Sequence, residues 1–276
     1  MNNLLSANFI RLRKNKCFLG CFLFMAAAAI YVPLMRYINT ANRGYKGRLD
    51  DGFFFGTLFV SILIAVFCGL FTGTEYSDGT IRNKLIIGHR RTHIYFSYLL
   101  TNVFAGLAMQ AVYFVVFLCI GTPLMEPFSL NTKTLLCFIA IAVMLPAALS
   151  AIFTMLAMII SSKATVGVIC VLSIFLMIIA GTYIDSRLRE PETYTNYSYT
   201  PEDGLREELA EKNPRYLEGT EREVYQFLYD FLPGGQVLQC STLDSKNAPR
   251  LPVYSGIIFI ISTAAGIIIF RQKDIK

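Results

Sequence analysis

The sequence is poor in charged residues, and long stretches of it contain none. Asp, Glu, Lys and Arg make up 16% of the 276 residues, whereas a soluble domain carries about 25%. Hydrophobic residues make up 54%, and the mean hydropathy is +0.50. The charges gather in a few short segments between long uncharged runs. This distribution excludes an ordinary soluble domain and predicts an integral membrane protein.

The motifs that carry common catalytic chemistry are missing as well. The patterns G-x-x-x-x-G-K-[ST], G-x-S-x-G and H-E-x-x-H do not occur, so no phosphate-binding loop, nucleophile elbow or zinc-protease helix is predicted. The two histidines, His89 and His93, have helical spacing but no nearby acid or cysteine to complete a metal site. The sequence therefore predicts no catalytic, metal or cofactor site in this chain.

The cysteines show no redox or zinc motif. Six of the seven lie in apolar runs and no C-x-x-C occurs, so they are expected to be small buried side chains. Cys240 alone lies in a polar segment, where pairing with a second copy of itself is an alternative.

Six uncharged runs are long enough to cross a bilayer core of about 30 Å. They cover residues 17–35, 53–74, 94–125, 134–162, 164–184 and 252–270. Backbone groups cannot be left unpaired in lipid, so these runs must be helices. The predicted fold class is an all-α integral membrane protein with about six transmembrane helices. The first run resembles a signal peptide, because basic residues precede it, but its length and the five later runs favour a retained helix.

The placement of lysine and arginine predicts the orientation. With the N-terminus inside, twelve of these residues fall in inside segments and five in the short outside loops. This asymmetry favours both termini in the cytoplasm. It also accounts for the net charge of +6, so no nucleic-acid partner is predicted. Membrane lipids are the expected surroundings.

Four regions follow from this topology. Residues 1–16 form a cytoplasmic interfacial helix, and residues 17–184 hold the first five spans with a short helix at 78–88. Residues 185–251 form a loop of about 65 residues outside, and residues 252–276 the last span and a cytoplasmic tail. The loop holds 13 acidic and 8 basic residues. Helical patterns at 204–212 and 220–231, the second ended by Pro233, Gly234 and Gly235, favour a folded lid over a disordered loop.

The segment between the second and third runs has its own pattern. Ser77 and Asp78 are suitable helix N-caps, and Gly88 is a suitable helix end. The intervening apolar face consists of Ile81, Leu85 and Ile86, and the polar face of Arg82, Asn83 and Lys84. The pattern predicts an amphipathic helix of about two turns at the cytoplasmic surface. An ordinary interfacial helix would have the same pattern.

The string E-Y-S-D-G-T-I-R-N-K-L at 75–85, followed by basic residues and a long span, resembles the permease subunits of type-two ABC exporters. The overall plan is similar too, because Leu5, Phe9 and Leu12 give the first 16 residues an apolar stripe before six spans. The resemblance implies a coupling helix that docks in a partner ATPase. The implied coupling residues are Glu75, Gly79, Thr80, Ile81, Arg82, Lys84, Leu85 and Ile86. The loop at 185–251 is longer than the resemblance implies.

The leading hypothesis is one half of an ATP-driven exporter in the bacterial plasma membrane. A second permease chain, identical or a sister subunit, would complete the pore, and a cytosolic ATPase dimer would bind ATP and Mg²⁺. Buried ionisable groups in spans are costly and mark ion coupling. The six runs contain none, so an ion-coupled carrier is disfavoured. The alternative is a sensor or scaffold that docks a cytosolic partner without transport.

The cargo expected from uncharged spans is an amphipathic peptide, a lipid or a drug. The resemblance implies antimicrobial-peptide immunity or efflux. The acidic loop would suit a cationic peptide, and neutralising Glu207, Glu208 and Glu211 would then weaken resistance. Ser97, Asn102 and Gln110 either line the path or bridge helices.

Overall fold

A computed structural model describes residues 1–194, 197–200, 204–207, 211–244 and 246–274. Six of its helical segments are long and apolar enough to cross a membrane, which confirms the predicted fold class. They are α2 (Lys16–Ala41), the segment Asp50–Ser77, α6 (Arg91–Leu124), α7 (Thr132–Ile159), α8 (Lys163–Leu188) and α11 (Leu251–Gln272). The segment Asp50–Ser77 consists of a one-turn helix, α3 (Asp50–Phe53), and a long helix, α4 (Gly56–Ser77).

The remaining helices lie outside the six spans. They are α1 (Asn2–Lys14), α5 (Thr80–Ile86), α9 (Gly219–Phe231) and α10 (Pro233–Thr242). The helix predicted at 220–231 agrees with α9. Its predicted end is also right, but Pro233, Gly234 and Gly235 begin α10 rather than a loop. Proline suits a first helical turn because its missing N–H would have no partner there.

The helix predicted at 204–212 is wrong wherever the backbone is described. Strand β2 (Tyr197–Thr200) pairs antiparallel with β3 (Gly204–Glu207), and β1 (Thr193–Tyr194) pairs with β4 (Glu211–Lys212). The alternating tyrosines at 197 and 199 favour an extended chain. Residue 208 and the side chains of Glu207 and Glu211 lie outside the described residues, so the structure does not bear on the acidic triad.

Helix α4 lies at the centre of the bundle. It packs against α2, α6, α7, α8 and α10. In the segment Asp50–Ser77, which contains α4, 61% of the most apolar 18-residue stretch is buried, whereas the corresponding stretches of α2 and α8 are 22% buried. The outer faces of α2 and α8 are therefore free to meet lipid or another chain. Within the bundle Asn102 Nδ2 donates to Thr154 Oγ1 at 2.8 Å and to Thr72 Oγ1 at 3.3 Å. Asn102 therefore bridges three helices rather than lining an open path.

Two ends of the bundle are distinguished by their short helices. At the α5 end, α1, α5, the start of α6 and the end of α11 come together, and Arg91 Nη1 donates to the carbonyl of Phe270 at 3.0 Å. At the α9 end, α10 packs against α4, α7 and α8. Cys240 of α10 is fully buried, with its Sγ 3.6 Å from Thr57 Oγ1. Pairing of Cys240 with a second copy is therefore contradicted, because no partner thiol can reach it.

Candidate functional site

Glycines form the turns on both sides of α5. Gly79 has φ +66° and Gly88 has φ +94°, conformations that residues with a Cβ adopt at a cost. Ser77 and Asp78 were predicted as N-caps of the short helix, but they end α4 instead, and Ser77 Oγ donates to the Thr74 carbonyl at 2.9 Å. The N-cap position of α5 is Gly79. The chain thus reverses between two long spans through one short helix.

Glu75 lies in the last turn of α4 and is 5% exposed. Its Oε2 accepts hydrogen bonds from Lys84 Nζ at 2.8 Å and from the hydroxyls of Thr80 and Tyr98. The Thr80 hydroxyl also lies 3.1 Å from the Glu75 carbonyl oxygen. One carboxylate therefore ties α4 to both ends of α5 and to α6.

Arg11 of α1 completes the same cluster. Its guanidinium pairs with Glu75 Oε1, donates through Nη2 to the Phe71 carbonyl at 3.0 Å, and lies 4.0 Å from the Phe71 ring centroid. Helix α1 is held beside it by Asn8 Nδ2, which donates to Ser97 Oγ at 3.1 Å. We call Arg11, Glu75, Thr80, Lys84 and Tyr98 the Glu75 cluster.

The charges of the Glu75 cluster depend on one another. Burial, together with the positive charge of Arg11, lowers the pKa of Lys84 to about 8. The 2.8 Å contact with the Glu75 carboxylate favours the charged ammonium. A carboxylate at the C-terminal end of α4 also opposes the helix dipole, which the two cations offset. The cluster thus holds α1, α4, α5 and α6 together.

Helix α5 presents a different face from the one predicted. Ile81 is 1% exposed and Leu85 packs against the core. Ile86, predicted on that apolar face, is 73% exposed, and the adjoining Ile87 is 76% exposed. Lys84, predicted on the polar face, points inward to Glu75. The reason is that Ile81 and Leu85, four residues apart, fix the helix on the bundle, and the flexible Lys84 side chain reaches back along it.

The exposed part of α5 and its turn forms one surface, which we call the α5 tip. It consists of Arg82, Asn83, Ile86, Ile87 and Gly88. Of the coupling residues implied by the resemblance, only Arg82 and Ile86 belong to this surface. The other implied residues lie on the side of this surface that faces the bundle; they are Glu75, Gly79, Thr80, Ile81, Lys84 and Leu85.

Sequence reasoning missed Arg11 and Tyr98 as members of the site. A signal for Arg11 exists, because the buried face of α1 has Leu4, Asn8 and Leu12 at helical spacing, and position 11 lies on the same face. The partner of that face cannot be identified from spacing. Tyr98 gives no comparable signal, since buried tyrosines at 95 and 98 look alike in sequence.

The six apolar helices define a multi-pass membrane protein. Residues 4–182 match the family described as ABC-2 family transporter protein, and the chain belongs to that family. It is thus a permease subunit of an ABC transporter, a family that pairs with an ABC ATPase and is normally non-catalytic.

The match runs from α1 to within the last two turns of α8. The long segment after α8 and the last span lie beyond it. A comparison with curated proteins gives no match.

Proposed function

We propose that this chain is the membrane half of an ATP-driven exporter, and that the α5 tip is where a cytosolic ATPase docks. The observation that carries the proposal is the exposure of Ile86 and Ile87, at 73% and 76%. Both lie at the turn between two spans, beside the exposed Arg82. The core of a protein interface is more apolar than the rest of the surface, and arginine is enriched at interfaces.

The Glu75 cluster is suited to carry a push on α5 into the spans. Movement of α5 acts on α4 through Thr80 and Glu75, and on α6 through Lys84 and Tyr98. Because α1 shares the same carboxylate through Arg11, the three helices respond together. ATP and Mg²⁺ bind in the partner, and closure of the two ATPase subunits shifts the spans between inward-open and outward-open states.

The rest of the assembly follows from the same proposal. A second permease chain, identical or a sister subunit, packs against the exposed faces of α2 or α8 and completes the path. The α5 end faces the cytoplasm of a bacterial cell, so both termini are inside. The cargo is an amphipathic peptide, lipid or drug, because the bundle interior offers apolar surface and neutral side chains.

A co-purification experiment tests the proposal. The chain is co-expressed with its ATPase and isolated in mild detergent, as wild type and as the double variant Ile86→Ser/Ile87→Ser. We expect the ATPase to travel with wild type and to be retained at least about tenfold less by the variant, equivalent to about 1.4 kcal/mol of lost binding free energy.

The matched control is Val224→Ser on α9, a half-exposed side chain at the opposite end of the bundle, which should retain the ATPase. If no ATPase accompanies the wild-type protein, the exporter proposal fails and a sensor or scaffold becomes the better explanation. If both variants retain the ATPase fully, docking at the α5 tip is wrong even though the exporter assignment stands.

A further inference from the structure

Helix α9 turns its apolar side away from the protein. Val224 and Phe227 are 50% and 51% exposed, and Leu228 is 37% exposed. Together with the partly exposed Phe231, they recur at the three- and four-residue spacing that defines one face of a helix. A helix that borders water has the opposite arrangement, with its apolar face on the core and its polar face outside. We call Val224, Phe227, Leu228 and Phe231 the α9 stripe.

The buried side of α9 is polar. Asp230 is 3% exposed, and its carboxylate accepts hydrogen bonds from Gln226 Nε2 at 2.9 Å and from Asn247 Nδ2 at 2.8 Å. Arg222 Nη2 donates to the Leu188 carbonyl at 3.2 Å. Polar groups held inside and apolar groups turned outside are the arrangement that an apolar medium favours, because such a medium offers no hydrogen-bond partners.

The α9 stripe lies beside the first turn of the last span. The rings of Phe227 and Phe231 stack with centroids 5.6 Å apart, and the ring of Tyr254 meets them edge-on at 5.9 and 5.8 Å. Tyr254 belongs to the first turn of α11, whose 22 residues make a helix of about 33 Å. The hydrocarbon core is about 30 Å thick, so α11 crosses it only if its first turn reaches the edge of that core. The stripe therefore lies at the depth where the hydrocarbon begins.

The chain enters the bundle directly after the stripe. Gly234, in the first turn of α10, lies against the backbone of Met177 in α8. This contact is about 16 Å along the helix from the end of α8 at Leu188. The exposed acids of α9, Glu221 and Glu223, precede the stripe. The residues of α9 thus change from charged to apolar in the direction that leads into the bundle.

We propose that the α9 stripe inserts into the leaflet at this end of the bundle and contacts the acyl chains of phospholipids. Glu221 and Glu223 then lie at the level of the headgroups, where their charges stay hydrated. Val253 and Ile257 of α11 are exposed near the same level, so the stripe extends the surface that this span presents to lipid. A second copy of the chain fits less well, because four side chains fall well short of the roughly 800 Å² per partner that a stable protein interface buries.

Fluorescence quenching tests the proposal, because the chain contains no tryptophan and a single introduced one reports its own surroundings. Phe227→Trp is purified and placed in nanodiscs of phosphatidylcholine with plain or brominated acyl chains, and iodide is added as the aqueous quencher. We expect brominated lipid to quench this tryptophan by about the same factor as it quenches Phe104→Trp, a half-exposed position within the span α6. Iodide should have little effect on either.

Two matched controls separate lipid from water and from protein. Tyr225→Trp lies on the opposite side of α9, where the side chain is partly buried, and it should be protected from brominated lipid. Tyr194→Trp, in the exposed strand β1, should be quenched by iodide and not by brominated lipid. Leu228→Trp, also in the stripe, repeats the measurement if Phe227→Trp folds poorly.

Two results would overturn the proposal. Quenching of both stripe tryptophans by iodide and not by brominated lipid would place α9 in water. Protection of both from either quencher would mean that a protein surface, such as a second copy of the chain, covers the stripe. No ATPase or cargo is present, so the outcome is independent of the transport proposal.

Discussion

The two ends of the bundle hold their short helices with different chemistry. At the α5 end, one buried carboxylate gathers two cations and two hydroxyls from three other helices. At the α9 end, α10 is held by close backbone contact and by hydrogen bonds between neutral groups. A Cβ added at Gly181 would lie 2.7 Å from the Gly234 backbone. Gln236 Nε2 donates to the Asp230 carbonyl at 2.9 Å. The α5 end depends on charge balance, and the α9 end depends on a lack of side-chain volume.

This difference suits the two ends to different tasks. Ion pairs act over distance and tolerate small displacements, since the Coulomb energy changes gradually with separation. Backbone-to-backbone packing does not, because close-packed atoms have no room to move. If an ATPase docks at the α5 tip as proposed, the charged cluster can follow its movement, whereas the α9 end provides a fixed support.

The largest effect should come from adding one methyl group at the α9 end. In Gly234→Ala the new Cβ would overlap the Met177 carbonyl of α8, and backbone cannot yield as a flexible side chain does. We expect α10 to be displaced and the free energy of unfolding to fall by about 3 kcal/mol or more. Denaturant titration of detergent-purified protein measures it.

The matched control is Gly20→Ala in α2, where an added Cβ meets no atom within 4 Å. Alanine favours a helix over glycine by about 1 kcal/mol, so this variant should be as stable as wild type or more so. Equal stability of the Gly234 and Gly20 variants would contradict the close packing of α10 on α8.

A smaller loss is expected from removing the central charge of the α5 end. Glu75→Gln leaves Arg11 and Lys84 without their carboxylate, and we expect a cost of about 2–3 kcal/mol. The loss stays below that of a fully buried pair, because the Arg11 side chain is 33% exposed and can turn toward water. The same titration measures it.

A peripheral ion pair supplies the comparison. Arg48 Nε lies 3.9 Å from Glu126 Oε2, and both side chains are at least half exposed. Glu126→Gln should change stability by less than about 0.5 kcal/mol. If Glu75→Gln proved equally mild, the Glu75 cluster would not hold the α5 end together.

The spans were predictable because lipid imposes length and apolarity on each one. The predicted ends differ from the helices by a few residues, since the helices continue past the apolar core through residues such as Lys16, Glu75 and Asp185. Helix α10 was not predictable in this way. The sequence Pro-Gly-Gly is typical of a turn. Here it begins a buried helix, and glycine fits at position 234 because the backbone of α8 leaves no room for a side chain.

The candidate site was predictable in its local part. Gly79, Ile81 and Leu85 follow from turn chemistry and helical spacing within one short segment. The inward direction of Lys84 and the outward direction of Ile86 depend on which face meets α6, which a seven-residue helix does not determine. Arg11 comes from another helix far along the chain, so its pairing with Glu75 required the tertiary structure.

The smallest predicted effect separates two neighbouring tyrosines of α6. Tyr95 and Tyr98 are both fully buried, but the Tyr98 hydroxyl donates to Glu75 whereas the Tyr95 hydroxyl has no partner among the described residues. Tyr98→Phe should therefore lower the free energy of unfolding by about 1 kcal/mol. Tyr95→Phe removes a buried group that makes no hydrogen bond, and it should be neutral or slightly stabilising. Opposite signs in denaturant titrations of these two single-oxygen changes would localise the effect to the Glu75 cluster, because both variants keep the ring. Equal losses would mean that the hydrogen bond to Glu75 does not distinguish the Tyr98 hydroxyl from that of Tyr95.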